Sequence, residues 1–368
     1  LGARPASGLP RTRPPQSAGS SPLRPRCRSP FWLGADAEPW EVSPQRRANA
    51  LPQRCSSLPR LPAPEESPER RRRRAFVPSD APERAVRQAE QYSRECMTQG
   101  IVPVSMDVAA RMICKQPTSQ ALVGDRQVAA WCAAGLLDDQ SEILLRDSDV
   151  GEDGARALAS RLAERVVTLD LSGNAVGSRG AEALGRARMP SLAALVLSKN
   201  GLGDVALGLL CAGLREPGAP QLRRLVLSEN QIARGGRALG DMLAFQQKLN
   251  MLDLHWNYMT GESACGLFQG VAAMSKNSDG LARLDISWNC LGSSGTGGAM
   301  DALARALRDE CALVHLDLSY NSLRAEDCRA LGEGLRDNHT LLGLHLVGNA
   351  ASVDADGSRP PKSTPALA

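Results

Sequence analysis

Seven times between residues 166 and 349 the chain repeats one spacing, L-x-x-L-x-L-x-x-N, and that spacing decides what it can fold into. The matches are Val166-Leu169-Leu171-Asn174, Leu192-Leu195-Leu197-Asn200, Leu222-Leu225-Leu227-Asn230, Leu249-Leu252-Leu254-Asn257, Leu281-Leu284-Ile286-Asn289, Leu313-Leu316-Leu318-Asn321 and Leu341-Leu344-Leu346-Asn349. The asparagines are 26 to 32 residues apart. Alternation of Leu with a variable residue predicts a short strand with one face buried. The asparagine follows where the chain turns, and its amide can both donate to and accept from backbone groups of the turn and of the next coil. The stretches behind it, such as "AEALGRA" (181–187), "ACGLFQGVAAM" (264–274) and "DALARALRDE" (301–310), carry small and aliphatic residues at helical spacing. One such strand–turn–helix unit cannot bury its own apolar face, so the units must stack and share a core. The expected fold class is therefore α/β, a solenoid with parallel strands on its concave face and helices on its convex face.

Upstream the pattern fades. "ILLRDSDVGEDGARAL" (143–158) is a weaker copy with Ser148 in place of the asparagine, and "VGDRQVAAWCAAGLL" (123–137) is an eroded half-copy. "ERAVRQAEQYSRECMTQG" (83–100) reads as a helix stopped by glycine, and "IVPVSMDVAARMICK" (101–115) as a proline-marked turn and a second helix. Residues 1–80 are rich in Pro, Ser and Arg without periodicity. The expected organisation is a disordered arm over 1–82, a helical cap over 83–118, the repeat domain over 119–351 and a disordered tail over 352–368. The repeats stop soon after Asn349 with no dedicated cap, so either the last coil is expected to fray or the chain to be truncated.

The net charge of +4 hides an asymmetry. Residues 1–80 hold 15 Arg, no Lys and 7 acidic residues, a charge of +8, which leaves −4 for the remainder. The "RRRRR" run (70–74) reads as a solvated basic linker, with a nuclear signal as the alternative. A mildly acidic repeat domain lacks the positive surface that phosphate backbones require, so no nucleic-acid binding is expected of it. No apolar run approaches the roughly 18–20 residues of a membrane span. The ten cysteines form no C-x-x-C pair and are expected to be reduced, mostly buried thiols.

These repeats resemble leucine-rich repeat proteins of the ribonuclease-inhibitor-like type, which carry long repeats with a full helix per coil. The likeness covers roughly 120–350. Ahead of it, "YSRECMTQGIVPVS" (92–105) is similar to the segment preceding the repeats in the leucine-rich repeat-containing protein 74 group. The resemblance implies a horseshoe that binds other proteins on its concave wall. It also admits a regulator of a small GTPase, of the kind that activates Ran. That group carries a long acidic tail, whereas residues 350–368 here hold only two acids.

Signatures of catalysis are missing. There is no G-x-x-x-x-G-K-[ST] phosphate loop, and "GSSGTGG" (292–298) places Met300 where a dinucleotide fingerprint needs its third glycine. His255, His315 and His345 fall on strand positions and His339 between coils. Their phases differ, so they are expected to be surface contacts rather than metal or catalytic groups. The chain is read as non-enzymatic, with no catalytic, cofactor or metal residues.

The variable positions carry the functional expectation. The third, fifth and seventh residues of the repeat point to the concave face and the eighth lies at its rim. Strands ~4.8 Å apart would then stack Trp256, Trp288 and Tyr320 as an aromatic ladder beside a row of Asp253, Asp285 and Asp317. His255, Arg283 and His315 flank them. Closely spaced like charges cost stability, and aromatics rimmed by charge match interaction hot spots. These nine residues are the expected partner-binding strip. Asn174, Asn200, Asn230, Asn257, Asn289, Asn321 and Asn349 are the expected structural ladder. The expected partner is a protein presenting a basic or arginine-bearing element. The chain itself is expected to be a cytoplasmic monomer, with a cilium or the nucleus as alternative locations.

Overall fold

A computed structural model describes residues 81–114, 123–162, 164–215, 218–246, 248–274, 280–292, 298–308 and 311–351. The arm over 1–80, its arginine run, most of the glycine-rich 292–298 stretch and the tail over 352–368 lie outside them.

Two helices precede the coils. α1 (Ala81–Gln99) ends at Gly100, which takes a left-handed φ of 65° and lets the Ile101 N–H bond the Cys96 carbonyl at 2.9 Å. α2 (Met106–Cys114) follows. Tyr92 and Cys96 are buried, and the Tyr92 hydroxyl accepts from the Val104 N–H and the Gln127 side chain. The segment 92–105 is thus folded against the first coil. The eroded copy keeps only its helix, α3 (Gly124–Ala133), with Trp131 fully buried.

Strands and helices then alternate: β1 (Glu142–Leu144), α4 (Glu152–Arg161), β2 (Thr168–Asp170), α5 (Gly177–Arg186), β3 (Ala194–Val196), α6 (Gly203–Leu214), β4 (Arg224–Val226), α7 (Gly236–Leu243), β5 (Met251–Asp253), α8 (Gly261–Met274), β6 (Arg283–Asp285), α9 (Ala299–Arg308), β7 (His315–Asp317), α10 (Ala325–Leu335) and β8 (Gly343–His345). The strands form one parallel sheet in sequence order, each paired in register with the next. This is a leucine-rich repeat solenoid.

The first, fourth and sixth repeat residues are buried from Val166 through Leu318, together with an apolar residue two places past each asparagine: Val176, Leu202, Ile232, Met259, Leu291 and Leu323. Burying one such side chain contributes roughly 1.5–3 kcal/mol, and every coil repeats the set. Helices close over this layer. Between α7 and α8 they approach so nearly that a Cβ on Gly240 would lie 2.1 Å from the Gly266 carbonyl oxygen, and one on Gly270 2.3 Å from the Gly240 Cα. Only glycine permits that contact. In the last coil Leu341, Leu344 and Leu346 are only half-buried, because no further coil among the described residues covers them.

The asparagines reach in one direction, and it is the reverse of the one expected. Asn257 accepts from the Asn230 and Ile232 N–H groups at 3.0 Å and donates to the Leu227 carbonyl at 3.0 Å, all in the coil before it. Asn230 does the same to Asn200, Leu202 and Leu197, and Asn349 to Asn321, Leu323 and Leu318. Asn174, Asn200, Asn289 and Asn321 likewise accept from, and donate to, the coil before. Five asparagines also donate to the sixth-residue carbonyl of their own coil, as Asn257 to Leu254 at 2.9 Å. Each asparagine therefore secures the turn already made, not the next one.

Leaving buried backbone groups unpaired costs about 1–3 kcal/mol apiece. Asn257→Ala is expected to lower unfolding free energy by about 3 kcal/mol in urea titration. Asn349→Ala, at a half-exposed position where water replaces the amide, is expected to lose less than half of that.

Candidate functional site

The face of the sheet away from the helices presents three rows. The third residues of the repeats pair as Met251, Arg283, His315 and Gly343, and the fifth as Asp253, Asp285, Asp317 and His345. The eighth residues lie just beyond, where the strands turn.

That rim has a backbone feature the spacing did not reveal. Every eighth residue adopts positive φ: Asp147, Gly173, Lys199, Glu229, Trp256, Trp288, Tyr320 and Gly348, at 48 to 72°. The geometry is forced from both sides. The eighth N–H donates to the seventh carbonyl of the following coil, as Trp256 to Ser287 at 3.1 Å and Trp288 to Ser319 at 2.9 Å. The adjoining asparagine is fixed to the preceding coil. A left-handed L-residue costs roughly 1–2 kcal/mol, and a bulky one there is unusual.

Three such places are nevertheless aromatic, and their rings stack. Trp256 and Trp288 have centroids 4.9 Å apart with planes at 28°, and Trp288 and Tyr320 3.9 Å apart at 15°. The far end of the stack rests on Gly348, where a Cβ would come within 2.3 Å of the Tyr320 ring. At the near end Glu229 pairs with Lys199 at 3.4 Å. Trp256 is 54% and Tyr320 41% exposed, with Trp288 half-covered between them. Tyr258, just past the asparagine, is 59% exposed and extends the aromatic surface. It lies outside the repeat positions used to locate the strip, although an aromatic so close to Trp256 was a visible signal.

The aspartate row has a local task. In each case Oδ1 accepts the N–H two residues on: Asp170 from Ser172, Asp253 from His255, Asp285 from Ser287 and Asp317 from Ser319, at 2.8 to 3.0 Å. These are Asx turns, which help to end the strand. So like charges recur here for a structural reason, which like-charge repulsion alone would not suggest. Asp253 is buried, at 4% exposure, rather than displayed on the surface; Asp285 and Asp317 are half-buried. Arg283, which flanks the row, makes no ion pair with any of the three among the described residues, whereas Arg146 does bond Asp170.

His255 is the exception among the histidines. Its Nδ1 lies 2.7 Å from Asp253 Oδ1. Burial lowers the imidazole's affinity for a proton, but the Asp253 bond and charge, with Asp285 and Glu229 nearby, hold it above the ordinary range. Burial and the Asp253 charge push the Asp285 carboxyl up, against the bonds from Ser287. His315 and His345 face each other with ring centroids 4.8 Å apart, and burial followed by the His345 charge lowers His315. His339 is exposed between α10 and β8. Among the cysteines whose side chains are described, burial pushes Cys132 and Cys211 up to about 12, which leaves them inert at neutral pH.

Parts of the chain are similar to known proteins. A family model described as "Leucine Rich repeat" matches residues 166–185. Ribonuclease inhibitor of Sus scrofa is 36% identical over 129 residues, 33% of this chain and 28% of its own length. The chain thus spans well under a third of that relative. Among solved structures, internalin C2 of Listeria monocytogenes aligns at 16% identity and a TM-score of 0.38, over 70% of this chain and 92% of its own. The actin-binding site 2 of leiomodin-1 aligns at 13% and 0.30, over 51% and 88%. No helix among the described residues is long and apolar enough to cross a membrane.

Two outcomes follow from this geometry. Trp288→Ala loses the stack yet keeps a left-handed Cβ, whereas Trp288→Gly loses both. The glycine variant is expected to be the more stable of the two by about 1 kcal/mol in chemical denaturation. For Asp285, a folded pKa above the ordinary 3.8 means that the fold favours the protonated form, so wild-type stability falls as pH rises through the window above 3.8. Asp285→Asn preserves the Asx turn and escapes that loss. Its melting temperature relative to wild type is expected to climb between pH 4 and pH 7, about the range a raised carboxyl spans.

Proposed function

We propose that this leucine-rich repeat protein, of the ribonuclease-inhibitor-like type, is a non-enzymatic scaffold that grips a partner protein across the open face of its sheet. The observation carrying this reading is the exposed Trp256–Trp288–Tyr320 stack on strained backbone. The turn does not require aromatic residues, because Asp147, Lys199, Glu229 and two glycines build it in the other coils. Placing two tryptophans at a left-handed position and leaving them open to water is costly unless another surface covers them. Large rings beside charge are the common composition of binding hot spots.

The carboxylates behind the rim select for a cation. Asp285 and Asp317 are half-buried with Oδ1 committed to the turn, which leaves the second oxygen of each for an incoming donor. An arginine fits best: its guanidinium stacks on indole while its N–H groups reach a carboxylate. Arg283 and His315, in the adjacent third-position row, set the register such a partner must follow. The cytoplasm is the proposed compartment, and the chain is proposed to act as a monomer.

The test is capture from native lysate with the full chain as bait, comparing wild type with the Trp256→Gly/Trp288→Gly/Tyr320→Gly variant. Circular dichroism should first show both folded. The captured partner, purified, is expected to bind the variant at least 100-fold more weakly, since a hot-spot aromatic is worth about 2 kcal/mol or more. Equal binding would move the interface elsewhere. The regulator reading makes a separate claim: added protein should accelerate GTP hydrolysis by a small GTPase in single-turnover assays. No acceleration across a panel would remove it.

A further inference from the structure

We propose that Asp253, His255 and Asp285 form a binding site for a divalent transition-metal ion on the open face of the sheet, with a coordination position left for a donor from outside the chain. One imidazole nitrogen and one oxygen from each carboxylate lie within 4.8 Å of one another. The sheet register creates this cluster. Asp253 and Asp285 are direct partners across β5 and β6, and His255 follows Asp253 by two residues, so it returns to the same face.

Three features distinguish the cluster from a patch of acids. The carboxylates are positioned in advance, because each Oδ1 is tied to the turn that follows its strand. The imidazole is already held against Asp253, its Nδ1 2.7 Å from Oδ1, and an ion bound by both would displace the proton in that contact. Among the described residues Arg283 forms no ion pair with either carboxylate, and Lys199 is engaged by Glu229. The imidazole pairs with Asp253 at 2.7 Å, and it is charged only when protonated.

The donor set narrows the ion. One nitrogen and two carboxylate oxygens suit Zn²⁺ and its first-row neighbours, whereas Mg²⁺ and Ca²⁺ favour all-oxygen shells. Bonds of roughly 2.0–2.2 Å call for ligand atoms about 3.4 Å apart, so Asp285 and His255 must close inward by a side-chain rotation. Three ligands leave a tetrahedral ion one open position. The site lies inside the aromatic rim and does not depend on the rim's binding a partner.

The experiment uses the full chain under reducing conditions, stripped with chelator and titrated with Zn²⁺ by calorimetry and with Co²⁺ by visible absorption. Wild type is expected to take up one ion of Zn²⁺ per chain. Asp285→Asn, whose amide oxygen keeps the Asx turn, and His255→Gln are each expected to weaken that uptake at least tenfold. His315→Gln/His345→Gln should bind as wild type. Co²⁺ bound here should show ligand-field absorption without the near-ultraviolet band of thiolate ligation. No uptake by wild type, undiminished uptake by the two site variants, a thiolate band, or loss confined to the His315/His345 variant would each overturn the proposal. Because the two site variants report separately, misfolding of one leaves the other as the test.

Discussion

The whole repeat domain depends on one hydrogen-bonding problem. Each coil turns inside the protein, where its backbone N–H and carbonyl groups cannot meet water, and unpaired groups there are costly. A buried asparagine from the following coil supplies both a donor and an acceptor to that turn. The bonds span 24 to 35 residues in sequence and connect only neighbouring coils. Stability is thereby distributed along the stack rather than gathered in one centre, as expected of a solenoid.

Once the turn is fixed, the rest of the face follows. Holding the asparagine to the coil before and the eighth N–H to the coil after drives the intervening residue into the left-handed region. Glycine, aspartate and the long polar side chains at that rim make no aromatic surface, and three coils make one. The aspartates ending four of the strands belong to the same economy of turns, since each bonds the second N–H ahead. The charge behind the rim is a by-product of strand termination that a partner or an ion can still use.

The fold was legible because its signal is periodic. Seven copies in phase fix strand, turn and helix together, and the register of Asp253 with Asp285 or Trp256 with Trp288 needs only counting. The weak copy with Ser148 still forms β1 and α4, since its apolar residues persist, and its turn is satisfied by Asn174 of the next coil. What spacing could not supply was three-dimensional detail. It gave the asparagine bonds but not their direction. It placed Asp253 on the open face but not beneath its neighbours, where only 4% remains exposed. It read the differing phases of the histidines as separation, although the seventh residue of one coil and the fifth of the next are close enough for His255 to meet Asp285. Left-handed backbone at the rim had one visible trace, glycine at 173 and 348, which tryptophan at the equivalent positions concealed.

The one-way reach of the asparagines gives the stack a polarity. Peeling a coil from the C-terminal side strips the amide from the turn before it, and several of that turn's backbone groups must then exchange a fixed partner for water. Peeling from the N-terminal side releases a side-chain amide that water can solvate at once, and the turn behind it stays bonded. The solenoid therefore resembles a ratchet more than a zipper. Drawn apart by its ends, it should yield in an order set by the direction of its hydrogen bonds, even where successive coils are equally apolar.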